Sequence, residues 1–222
     1  MSLLATLQLA DSALPIGRYA HSYGLETWLE CRPTSEAQIA ELVETAVCES
    51  AAPLDGVLVA RAHAARTLPE LLRLDRACTA YKLSHAAREA SESCGRRLAV
   101  LAPRLSPDPL TAALVCAIGG GETPGNLAVV EGTLARALGA SERDAVLLEL
   151  RGLAAGMLAA AVRLGALAPF AGQTILAQLA PALEHAATRA LELRLDNLCS
   201  TAPELEIAAM AHSRASTRLF AS

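Results

Sequence analysis

"GLAAGMLAAAVRLGALAPFAG", residues 152–172, is apolar and long enough to be read either as a membrane span or as the central helix of a buried helical core. Arg163 lies inside it, and a charge in mid-membrane costs about 2.5–3.5 kcal/mol on insertion scales. The stretch is also rich in Ala and Gly, and together these features select the buried helix. Gly152, Gly156 and Ala160 recur every fourth residue, a spacing that predicts a smooth stripe where another helix approaches closely.

Outward from this stretch the chain keeps the same character. Ala, Leu, Arg and Glu dominate, while β-branched and aromatic residues are thin and show no sustained alternation. The reading is all-α: one multi-helix domain over 1–222, nine to ten helices, no sheet and a tail at 213–222. Helices are expected over about 3–10, 18–30, the mid-thirties through the sixties, 69–79, 82–101, 108–118, 124–138, 141–165, 172–198 and 203–213. Pro15 ends the first of these, Thr34 or Ser35 caps the third, and Pro53 bends or breaks it.

Hydrophobic residues make up 53% of the 222 residues and charged residues 19%, an apolar balance that points to surface covered by another subunit. A formal net charge of -4 supplies no broad positive field, which argues against nucleic acid as a partner. "MSLLATLQLADS" has neither the basic start nor the cleavage site of a secretory signal, so a cytoplasmic protein is expected, with no membrane association. The 6 cysteines form no C-x-x-C pair and read as buried free thiols.

"LPIGRYAHSYGLETWLE", residues 14–30, concentrates the single Trp and two of the 3 Tyr. As a helix over 18–30, it would bury His21, Gly24, Leu25, Trp28 and Leu29. It would present Tyr19, Ser22, Tyr23, Glu26 and Glu30 on the opposite face, aromatic bodies with polar tips suited to a protein interface. Tyr23→Asp on such a face leaves the fold intact and weakens association.

"LQLADSALPIGRYAHSYGLETWLE" (7–30) resembles the N-terminal signature of the urease accessory protein F family, with Pro15, Gly17, His21, Gly24 and Trp28 as its structural residues. "YKLSHAAREASESCGRRL" (81–98) is similar to an internal segment of that family through Lys82, Arg88, Ser91 and Gly95. "APELEIAAMAHSRASTRLFAS" (202–222) is similar to its closing pattern. Three positions depart from it: Arg18 where a small residue is usual, Asn126 where His is common, and Ala221 in place of a frequent Arg.

The resemblance implies a non-catalytic, helical, homodimeric urease maturation factor. Such a protein bridges urease accessory protein D (H in some organisms) and the nickel-carrying accessory GTPase, and the complex docks on apo-urease. Nickel and GTP are handled by those partners, and no cofactor is bound by this chain. The C-terminal helix and tail, His212 through Ser222 and including Arg218, Leu219 and Phe220, would be ordered by the protein D partner. Apolar side chains on a short terminal segment are consistent with that role.

The alternative is a small helical metal-dependent enzyme. His85 and Glu89 stand one turn apart and supply two ligands, with His21 as a further candidate, but no H-E-x-x-H accompanies them. "GGGETPGN" (119–126) has the glycine spacing of a phosphate loop. It lacks the Lys and Ser/Thr that follow in such loops, and Glu122 repels phosphate, so it reads as a turn between helices. There is no G-x-S-x-G elbow.

Overall fold

Ser35 opens the first long helix with a capping box: its Oγ accepts the Gln38 N–H at 3.3 Å, and Gln38 Oε1 accepts the Ser35 N–H at 3.0 Å. Ser84, Asp108 and Ser141 cap later helices in the same way, each accepting a backbone N–H three residues on. The computed structural model describes residues 3–31, 34–212 and 219–221. In chain order the elements are α1 (Leu3–Leu9), a 3₁₀ turn (Arg18–Ala20), α2 (Leu25–Glu30) and α3 (Glu36–Thr45). A π-helical stretch (Ala46–Gly56) leads into α4 (Val57–Ala64), α5 (Leu68–Tyr81), α6 (His85–Leu105), α7 (Pro109–Gly119) and α8 (Leu127–Ala137). Then come α9 (Glu142–Arg163), α10 (Pro169–Gln178), α11 (Ala180–Glu192), a second 3₁₀ turn (Leu195–Asn197) and α12 (Pro203–His212). The fold is all-α, with no strand among the described residues.

The helical segments outnumber the nine to ten expected, because two stretches that read as continuous are divided. Pro181 stands in the first turn of α11, where a missing N–H costs nothing, and separates it from α10 within the expected 172–198 helix. The expected 18–30 helix is interrupted by Tyr23 and Gly24, both with left-handed backbone. Pro53 neither breaks nor sharply ends the third helix. Its missing N–H is absorbed where the spiral widens from α3 through Gly56. Residues 199–201 take up freed carbonyls there, Thr201 donating its N–H at 2.9 Å and its hydroxyl at 2.8 Å to the Glu49 carbonyl.

One continuous hydrophobic core runs through the molecule, with α4, α8 and α9 at its centre. α4 and α8 are in close contact at Gly132, where an added Cβ would lie 2.4 Å from the Val59 carbonyl oxygen. Backbone cannot retreat as a side chain does. Gly132→Leu is therefore expected to destabilise the protein by about 3 kcal/mol, at the upper end of overpacking costs, as checked by urea denaturation. A midpoint within error of the parent would show that the two helices slide apart freely.

α9 is by length and composition apolar enough to cross a membrane, yet Leu150, Ala154, Met157 and Ala161 are buried within the core. Its small-residue stripe does not receive a helix, as its spacing suggests. Gly152 makes room for the Arg18 guanidinium, and Gly156 lies against the Tyr23 ring. The cysteines are free, but only Cys78 and Cys94 are fully buried; Cys31, Cys116 and Cys199 are exposed.

Candidate functional site

The two ends of the chain meet. Gly24 holds a left-handed backbone at φ 84°, and a Cβ there would lie 2.6 Å from the Leu205 carbonyl oxygen and 3.1 Å from the Ala209 nitrogen. Glycine at this point lets α12 lie directly on the start of α2. Trp28 Nε1 then donates to Glu204 Oε2 at 3.0 Å. Beyond α12, the Glu26 carboxylate accepts the backbone N–H of Leu219 at 2.7 Å and of Phe220 at 3.1 Å, and Ala221 N–H donates to the Ala20 carbonyl at 2.8 Å. His212 Nε2 faces the Phe220 carbonyl at 3.2 Å, which can only accept, so this nitrogen donates; Nδ1 lies 3.1 Å from the Thr27 hydroxyl. The Arg163 guanidinium lies 4.3 Å from the centre of the Phe220 ring.

This arrangement corrects the face expected of residues 18–30. With the helix interrupted at Tyr23, the side chains do not sort into two faces. Ser22 and Glu26 are buried, Glu26 as the acceptor for the tail, and Tyr23 packs inward against α9. Tyr23→Asp therefore tests the core rather than a surface. Tyr19 is 66% exposed, and Glu30 is exposed at the end of α2. Of the tail, His212 and Phe220 are buried against the chain's own N-terminal segment, while Leu219 is 56% exposed. Arg218 lies outside the described residues. Gly17, His21, Gly24 and Trp28 are buried and Pro15 is an exposed turn residue. Burial and the nearby Arg97 charge lower the His21 imidazole's proton affinity.

Beneath this surface lies a charge cluster that the sequence reading did not assemble. Arg18 reaches across to α9, its Nη2 hydrogen-bonded to the Glu149 carboxylate and 3.7 Å from Glu131 Oε2 on α8. Burial, then the neighbouring Glu149, raises the Glu131 carboxyl well above its ordinary range. Burial acts the same way on Glu149, but the Arg18 charge and the hydrogen bonds from Glu131 and Arg18 outweigh it and hold that carboxyl low. Of the two, Glu131 is thus the more readily protonated and Glu149 the more readily ionised. Close by, Lys82 Nζ donates to both Asp55 oxygens at 2.8 and 2.9 Å. Burial raises the Cys94 thiol to about 11. Arg18, Glu149, Asp55, Lys82 and Cys94 border a cavity of about 110 Å³ that Leu205 and Ala209 of α12 also line. Lone acids inside apolar helix segments, Glu131 in "VVEGT" and Glu149 in "LLELR", were the signal available in the sequence.

The glycine-rich loop is a turn between helices, as expected, held by a buried carboxylate. Asp75 on α5 accepts from the Thr123 hydroxyl at 2.6 Å, from the Gly125 and Asn126 N–H groups at 2.7 Å each, and from Asn126 Nδ2 at 3.0 Å. Asn126 also donates to Thr79 at 2.8 Å. Gly95 of α6 fits under this loop, where a Cβ would meet the Gly125 carbonyl oxygen at 2.1 Å. His85 and Glu89 approach to 3.7 Å on the surface, 82% and 65% exposed, and no group of three metal-ligating side chains is found among the described residues.

A model of the family described as UreF matches residues 34–180. A urease accessory protein UreF of Nostoc sp. is 33% identical to the chain over 226 residues, covering 99% of this chain and 95% of the relative. One from Arthrobacter sp. is 31% identical over 220 residues, covering 99% and 96%, and one from Actinobacillus pleuropneumoniae is 31% identical with 98% of both covered. With similarity of this level running from end to end, the chain belongs to the UreF family of urease accessory proteins.

Proposed function

We propose that the chain is a non-catalytic adaptor in urease maturation: it joins accessory protein D/H to the nickel-carrying accessory GTPase, and the assembly delivers nickel to apo-urease. The chain acts in the cytoplasm as a homodimer, and nickel and GTP are held by its partners. One observation carries the reading: α12 and residues 219–221 pack on the segment around α2, and these elements leave Tyr19, Ile207, Met210 and Leu219 exposed. Apolar groups at the centre of interfaces supply most of the binding energy, whereas isolated ones on a monomer have no such role.

Because Phe220 anchors the tail in the core, removing the whole tail would mix folding with binding. The informative variant is Tyr19→Asp combined with Leu219→Asp, both at exposed side chains. It is expected to keep the parental melting temperature within about 3 °C, since surface changes alter stability by about 0.5 kcal/mol. Affinity for purified accessory protein D should fall about 30-fold or more, the scale of losing about 2 kcal/mol at an anchor. Undiminished affinity in the folded variant would remove this surface from the assembly.

A further inference from the structure

The cavity of about 110 Å³ beside the charge cluster lies where the regular geometry of the chain is interrupted. Tyr23, in its lining, holds a left-handed backbone at φ 57°, a strained conformation for a bulky residue. The π-helical stretch supplies another wall through Ser50, Ala51, Leu54 and Asp55. Irregularities of both kinds are concentrated at functional sites.

Hydrogen-bonding capacity around the cavity is left over in both senses. Lys82 Nζ donates to the two Asp55 oxygens at 2.8 and 2.9 Å, and an ammonium has one N–H beyond those, which has no partner among the described residues. Arg18 bonds the Glu149 carbonyl and carboxylate through Nη1 and Nη2 and keeps further N–H groups spare. On the accepting side, Glu206 Oε2 and Ser91 Oγ are buried without a partner among the described residues, save that the weakly bonding Cys78 thiol lies beside Ser91. Both residues belong to the lining, Glu206 on α12 and Ser91 on α6. A ligand here has to donate and accept. A cation would meet Lys82 and Arg18, and an anion would meet Asp55, Glu149 and Glu206, so neither charge is favoured. The volume is far below the roughly 300–1,000 Å³ of pockets for larger ligands, and it matches about three to four waters at about 30 Å³ each in the liquid.

We propose that the cavity is a built water site, a cluster of about three to four molecules that joins Lys82 Nζ and the Arg18 guanidinium to Tyr23, Ser91 and Glu206. Water held there returns to the two cations part of the hydration that burial removes, and so keeps both ion pairs charged inside the fold. It also gives α12 a wet inner face at Leu205, Glu206 and Ala209. The site does not depend on which proteins the chain binds.

The test begins with crystals of the full chain at a resolution that shows ordered water, one set kept in air and one under xenon gas. Water within about 3.2 Å of Lys82 Nζ, bridging onward to at least one of Tyr23, Ser91 and Glu206, is expected, with no xenon in the cavity, because xenon enters dry apolar cavities. Xenon there, an ion or organic molecule there, or no such bridge would overturn the site. In solution, magnetic relaxation of the solvent counts long-lived internal waters. Ala90→Leu fills the space from the α6 wall and is expected to lower that count by about two or more. Ala177→Leu makes the same change at an exposed position of α10 and should leave the count unaltered. Where Ala90→Leu does not fold, Ala87→Val is a smaller filling of the same wall and is read in the same way. An unchanged count in the folded cavity variant would overturn the cluster.

Discussion

Replacing Asp75 with Ala is expected to cost about 4 kcal/mol or more, enough to leave a protein of ordinary stability close to its unfolding threshold. The carboxylate is fully buried and satisfies the Thr123 hydroxyl, the N–H groups of Gly125 and Asn126, and Asn126 Nδ2. Each buried donor left without an acceptor costs about 1–3 kcal/mol, and the space vacated is too small to rehydrate all of them. The loop they organise also sets the start of α8, so the loss extends to the α6–α8 packing around Gly95. Urea denaturation measures the effect, with Asp75→Asn as a milder comparison that keeps one acceptor. A cost below about 1 kcal/mol would mean that water substitutes for the carboxylate.

Arg18→Ala carries the second large expectation, a loss of about 3–5 kcal/mol, because it leaves the buried Glu149 charge without its cation. The cluster also gives stability a specific dependence on pH. Glu131 titrates above its unfolded value of 4.5, so the native state holds a proton that the unfolded chain releases, and stability falls as pH rises from about there toward the folded value. Glu149 titrates below 4.5 in the native state, so its contribution is present above that pH and is lost on acidification through its folded value. Glu131→Gln should abolish the decline on the alkaline side and leave the acid limb in place. Melting curves that extend well to either side of pH 4.5 resolve the two. An unchanged alkaline limb in Glu131→Gln would assign it to another group.

Most helices were legible because their signals are local: Ser35 with Gln38, Ser84 and Pro109 each mark a start within a few residues of where it falls. The stretch between 18 and 30 was harder to read. Periodicity there fits a helix, but Gly24 answers to the backbone of α12, about 180 residues away in sequence. The same distance hid the true role of Glu26. A carboxylate beside aromatics looks like surface until the N–H groups it serves, at Leu219 and Phe220, are in view. Arg18 was visible as an unusual residue, yet its destination required Gly152 of α9 to be brought opposite it. Resemblance identified the two ends of the chain as significant without indicating that they form one structure.

The clasp between Glu26 and the last residues has a bearing on biosynthesis. Since a chain leaves the ribosome from its amino end, the α2 segment emerges early but cannot acquire its closing strap until residue 221 has been made. A prematurely terminated product would therefore expose an unsealed edge where the finished molecule presents a completed one. Closure by residues 219–221 thus makes synthesis as far as residue 221 a condition for displaying the surface at all.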